Sequence, residues 1–182
     1  MNWQAMESND LMRELIRWYI KSRLVVYAAV LAALVGTFLM GYAVTSPSSY
    51  VAEVMSQVKA FDESIAGMSF IAASITRFVS LLGTVWVAYI PIIGMWYAAY
   101  AMVNLGVVAA IPAIGYSGVA SAMAIMISMF FPVAEGLILG LTLILKMTRK
   151  NVPTRFIRYI TTQYVVAIII SLVLLTLLSV GA

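Results

Sequence analysis

Lys146-Met-Thr-Arg149-Lys150-Asn-Val-Pro153-Thr-Arg155-Phe-Ile-Arg158 is a short basic interruption in a chain otherwise almost free of charge. A second basic window, Arg13, Arg17, Lys21 and Arg23, lies near the N-terminus. The two windows hold nine of the eleven Lys and Arg residues, and long apolar runs separate them. The one substantial polar loop, Thr45–Gly67, carries Glu53, Asp62 and Glu63 with only Lys59. Lys and Arg concentrate on the cytoplasmic side of membrane spans, so this asymmetry indicates both class and topology. The expectation is an all-α, polytopic integral membrane helical bundle, multi-pass in the cell membrane, with a cytoplasmic N-terminus.

Composition agrees. At 182 residues the chain is 64% hydrophobic and 10% charged, against roughly half and a quarter in soluble domains. That length is absorbed by membrane passages as a single membrane domain, 1–182. The net charge of +4 is no nucleic-acid footprint, because the basic residues flank spans where they face anionic head groups. The chain has no Cys and no His. Disulfides, thiol catalysis, His-ligated haem and the usual zinc and copper sites are thereby excluded, so neither metal nor cofactor is expected. Glu7, Asp10 and Glu14 precede an apolar stretch too long for the roughly 7–15 residues of a signal-peptide core, so no cleavable signal is expected.

Working outward, residues 10–23 read as an amphipathic helix. Leu11, Met12, Leu15, Ile16, Tyr19 and Ile20 form its apolar face, opposite Arg13, Arg17 and Lys21. One reading lays it in the cytoplasmic interface, with those three cations on lipid head groups. The other makes it the flank of the first span. Residues 24–44 form that span, 21 residues without a charge, enough for a core of about 30 Å. Ala28, Ala32 and Gly36 give it a small-residue strip for close helix contact. After Ser46-Pro47-Ser48-Ser49, residues 49–66 read as an outer amphipathic helix, with Val51, Val54, Met55, Val58, Phe61 and Ile65 on one face.

Pro91 divides the next apolar stretch into spans at 70–89 and 93–113, and Pro112 with the Gly115–Gly118 cluster closes the latter. A fourth span, 119–145, contains Pro132, which is expected to kink or split it. The fifth is 159–180. Four crossings between the basic windows keep both cytoplasmic, and the fifth puts the C-terminus outside. A two-crossing layout, with residues 70–113 partly re-entrant, satisfies the same parity.

Arg77 and Glu135 are the ionisable residues inside the apolar regions. A charge at a helix centre costs on the order of 2.5–3.5 kcal/mol, so each needs a partner or water. Counting from Ser69 and Lys146 at about 1.5 Å per residue gives depths of about 12 and 16 Å from opposite surfaces. Asn104 falls between them. Arg77, Asn104 and Glu135 could form a polar site with a proton-exchanging carboxylate, or could be hydrogen-bonding glue between spans; the single carboxylate favours the second. Gly136 and Gly140 form a GxxxG that fits packing within the chain as well as dimerisation. No activated nucleophile, phosphate loop or carboxylate pair is present to support an enzyme.

Phe78…Tyr89-Ile-Pro-Ile-Ile-Gly94…Asn104-Leu-Gly106, followed by Phe131-Pro132-Val-Ala-Glu135, resembles the stage II sporulation protein M family of bacterial and archaeal membrane proteins. The resemblance covers roughly residues 75–142. It departs from the family pattern in having no His-Gly pair and a short gap between Pro132 and Glu135. It implies that Pro91, Gly94, Asn104, Pro132 and Glu135 match recurring family positions, and that the protein is a non-enzymatic component working with partner proteins. The leading functional expectation is accordingly a membrane scaffold or accessory subunit, assembling with other membrane proteins or with itself. A small permease or ion-pathway subunit using Glu135 is the alternative. An accessory subunit of a respiratory complex is the third.

Overall fold

The computed structural model describes residues 8–44, 46–149 and 152–181. Among these it is all-helical, with no strands. Six helices follow one another: α1 (Ser8–Tyr42), α2 (Ser48–Ile65), α3 (Phe70–Val85), α4 (Ile93–Ala109), α5 (Gly115–Arg149) and α6 (Thr154–Gly181). A short 3-10 turn, Trp86–Tyr89, extends α3 toward the Pro91 corner. Four helical stretches are long and apolar enough to cross a membrane: Leu11–Tyr42, Phe70–Tyr89, Gly118–Thr148 and Thr154–Gly181. Ile93–Ala109 is equally apolar but shorter, 17 residues, or about 25 Å of helix.

Residues 10–23 do not form the separate interfacial helix that their amphipathicity suggests. They are the first turns of α1, which runs unbroken for 35 residues. Nothing breaks it: no Pro or Gly lies between Ser8 and Val35, and Arg23 and Leu24 at the junction are good helix formers. Nor is α5 split at Pro132, although the ring removes the N–H that would bond the Ser128 carbonyl. Pro132 is buried among neighbouring helices, which hold the helix through the defect.

The core is built where α1, α4, α5 and α6 meet. Val30, Leu34 and Phe38 of α1 pack with Ala98, Ala101 and Met102 of α4, with Met129 and Val133 of α5, and with Leu175 of α6. A second cluster joins Tyr19 of α1, Ile138 and Leu139 of α5, and Phe156, Ile160 and Tyr164 of α6. Met12, Leu15 and Val152 pack against it. Residues beside the two basic windows therefore meet at one end of the bundle. In contrast, α2 packs little on the rest, and α3 lies mainly along α6.

Glycines set the closest approaches. A Cβ on Gly41 would stand 2.0 Å from the Val103 carbonyl oxygen, and one on Gly106 would stand 2.2 Å from that of Phe38. Parallel α1 and α4 thus touch backbone to backbone. The Ala28, Ala32, Gly36 strip does not make this contact: both alanines are exposed, and a Cβ on Gly36 would meet nothing within 4 Å. Gly136 and Gly140 of α5 receive the α3–α4 corner, lying against Pro91 and Ile92. They serve packing inside the chain. At that corner Ile92 adopts φ 68°, ψ −57°, with Ile93 N–H donating to the Pro91 carbonyl at 2.8 Å. This γ-turn conformation costs a β-branched residue on the order of 1–3 kcal/mol, and it persists because the Ile92 side chain fills the space over Gly140.

Gly106→Ala should force α1 from α4 and cost about 1–3 kcal/mol or more, as overpacking does. Gly36→Ala should be neutral or raise stability by up to about 1 kcal/mol. Thermal unfolding in mild detergent distinguishes the two, and equal midpoints would refute the close α1–α4 contact.

Candidate functional site

Tyr19, Arg23 and Tyr27 recur every four residues, so they form one stripe along α1. The stripe faces Glu135 of α5, whose side chain is 0% exposed. Tyr19 Oη donates to Glu135 Oε2 at 3.0 Å. Tyr27 Oη donates to Oε1 at 2.5 Å, and Arg23 Nε reaches the same oxygen at 2.7 Å. Arg23 also donates to Tyr27 Oη, from Nε at 3.1 Å and from Nη2 at 3.0 Å. Both carboxylate oxygens are thus occupied, and the Tyr27 hydroxyl relays between guanidinium and carboxylate.

Aromatic rings enclose the cluster. The Arg23 Cζ stands 5.8 Å from the Tyr19 ring centroid and 5.2 Å from that of Tyr27, within cation–π range. Tyr27 meets Phe130 and Phe131 edge-on, and Tyr19 meets Tyr159 of α6 in the same way. The rings thin out water on the α5 side, while Arg23 remains 40% exposed. A carboxylate this buried is costly unless paired and hydrogen-bonded, and here it is both.

Arg23 directly precedes the charge-free run that begins at Leu24. Glu135 therefore lies level with the first turn of that run, rather than deep in its middle as counting from Lys146 suggests. The count goes astray because α5 continues well past this level.

The expected Arg77, Asn104 and Glu135 group is not assembled. Glu135 is held by α1. Arg77, half-buried on α3, makes no ion pair among the described residues. Asn104 Nδ2 donates to the Tyr100 carbonyl of its own helix at 3.1 Å. Pro91 and Pro112 sit at corners, while Arg13, Arg17 and Lys21 point outward from α1. Among the described residues no cluster of His, Cys, Asp and Glu could hold a metal ion. The residues missed are Tyr19, Arg23 and Tyr27. The signal was their four-residue spacing, hidden because Tyr19 reads as apolar-face packing and Arg23 as a topology marker.

No protein-family model matches the chain, and no curated protein or solved structure matches it either.

A double-mutant cycle separates the two possible partners of Glu135. Arg23→Met and Glu135→Gln should be coupled by about 1 kcal/mol, within the range for residues in contact. Arg77→Met and Glu135→Gln should instead add to within about 0.5 kcal/mol. Unfolding midpoints of the three single variants, the two double variants and the wild type provide the measurement; coupling to Arg77 but not to Arg23 would reverse the assignment.

Proposed function

We propose that this protein is a non-enzymatic membrane scaffold or accessory subunit that assembles with other membrane proteins. The observation that carries this reading is the saturation of Glu135: both oxygens accept bonds from α1, and the side chain is fully buried. A carboxylate used in this way fastens two helices together. A proton-exchanging carboxylate in a permease must instead alternate between partners and water. The resemblance over residues 75–142 points in the same direction, toward a component that acts through partners.

The periphery supports an assembly role. The apolar face of α2 (Val51, Val54, Met55, Val58 and Phe61) is not buried in the bundle, and only Ile65 of this helix is. An amphipathic helix left in this state finds its cover in the membrane interface or on another protein.

In the same proposal the chain crosses the cell membrane five times, through α1, α3, α4, α5 and α6. The clustered basic windows face the cytoplasm, and α2 and the end of α6 lie outside. The inner boundary falls near Arg23 and the Pro91 corner, so that the α1–α5–α6 cluster around Tyr19 lies at or below the head groups.

Two experiments test these statements. An impermeant thiol reagent should label Ser56→Cys and Gly181→Cys in intact cells, and Thr154→Cys only after permeabilisation. Labelling of Thr154→Cys in intact cells would overturn the layout. Tagged protein purified in mild detergent should carry stoichiometric membrane-protein partners, or elute as an oligomer, and Glu135→Gln should weaken that assembly. Solute or proton flux in reconstituted vesicles that disappears in folded Glu135→Gln would instead favour the permease.

A further inference from the structure

Arg77 is a charge inside an apolar span that the chain leaves without an ion-pair partner among the described residues. The sequence holds seven carboxylates that could serve it. Glu7, Asp10 and Glu14 precede the first charge-free run, and Glu53, Asp62 and Glu63 belong to α2. Glu135 is already held by Tyr19, Arg23 and Tyr27. Arg77 stands seven residues beyond Phe70 in the stretch Phe70–Tyr89, about 11 Å along the axis and nearer the middle of the helix than either end. A cation at that depth is costly while it stands alone.

Beside Arg77, α3 presents a flank of small residues. Thr76, Ser80 and Gly83 follow one another at helical spacing, between Arg77 and the outward apolar face of Ile71, Ile75 and Val79. Ser80 and Gly83 are exposed, and a Cβ on Gly83 would meet nothing within 4 Å, so this glycine serves no contact inside the chain. From the unpaired guanidinium and its setting we infer that this flank docks the transmembrane helix of a partner protein carrying a carboxylate at the level of Arg77. The partner backbone rests on Ser80 and Gly83, as small residues allow, and its Asp or Glu pairs with Arg77. Charge complementarity selects this occupant. A second copy of the chain has no free carboxylate to bring into the span, since Glu135 is buried and bonded. Head-group phosphates lie outside the hydrocarbon, further from Arg77 than its three-methylene stem carries the guanidinium. The inference rests on the scaffold reading and deepens it by naming the chemistry of the partner.

Designed transmembrane peptides test this with the full chain in phosphatidylcholine vesicles. Each is a Leu/Ala helix of about 20 residues, with Glu, Leu or Lys at its middle so that either orientation presents the group at depth. Energy transfer between dyes on peptide and protein reads the association. The wild type should hold the Glu peptide about threefold to tenfold more tightly than the Leu peptide, in line with interhelical polar contacts in lipid. Arg77→Met should bind the two alike, and Arg77→Glu should prefer the Lys peptide. Gly83→Leu should weaken binding of the Glu peptide by crowding the flank. Circular dichroism confirms that each variant is folded, and the wild-type comparison decides by itself where a variant is not. Equal affinity of the wild type for the Glu and Leu peptides would overturn the inference, as would a Glu preference retained in folded Arg77→Met. Partial replacement of phosphatidylcholine by phosphatidylglycerol should leave the preference intact; its loss would show lipid phosphate on Arg77 and overturn the inference too. Membrane-protein partners that stay bound to tagged Arg77→Met would overturn it while the scaffold reading stands. A wild type that purifies without partners or oligomers would defeat both, so the two failures are told apart.

Discussion

A carboxylate buried at the middle of a long apolar helix has to be neutralised by something, and in this chain that requirement organises the bundle. Glu135 lies on α5, the most enclosed of the long helices. Among the described residues its two oxygens are reached only by α1, at three side chains spaced one turn apart. The pairing fixes α1 against α5 in both rotation and height, because sliding by one turn would offer Glu135 a different set of groups. Buried ion pairs of this kind add little net stability over an apolar replacement, but they penalise every arrangement that leaves the charge alone. The contribution of Glu135 is therefore register more than strength.

Once α1 and α5 are fixed, the other contacts follow from side-chain size. α4 presents Gly94, Ala98, Ala101, Gly106 and Ala109 to its neighbours, and Gly41 of α1 completes a backbone-to-backbone approach. Without a hydrophobic driving force between helices in lipid, close packing of this sort supplies much of the association energy. The α3–α4 corner is held in the same way. Ile92 accepts an unfavourable backbone geometry because its side chain occupies the hollow above Gly140. α2 and α3 take less part in this packing, and their outer faces remain available to lipid or to partners.

Much of the architecture was legible in the sequence, since it depends on composition and period. Long charge-free runs, breaks at Pro47, Pro91 and Pro112, and the 3,4 spacing of the helix at Ser48–Ile65 all carry local signals, whereas Gly115–Gly118, expected as a turn, forms the first turn of α5. The internal site was harder to read. Intramembrane depth counted from the nearest cation paired Glu135 with Arg77, because each looked like the other's only possible partner. Arg23 was overlooked because a cation at a span boundary needs no internal partner to be explained. The small-residue strip failed for a related reason: Ala28, Ala32 and Gly36 permit close approach, but which face of α1 turns inward is decided by Tyr19, Arg23 and Tyr27. Tertiary pairing chose the face, and no local pattern on α1 encodes where Glu135 will lie.

The central claim is that Glu135 is a structural clamp between α1 and α5. Amide hydrogen exchange in mild detergent, comparing wild type with Glu135→Gln, tests it most directly. The account predicts faster exchange confined to the lower half of α1, the facing turns of α5 and the start of α6, with α3 unchanged. An exchange profile in Glu135→Gln indistinguishable from that of the wild type would contradict it, and would show that α1 is held to α5 by apolar packing alone.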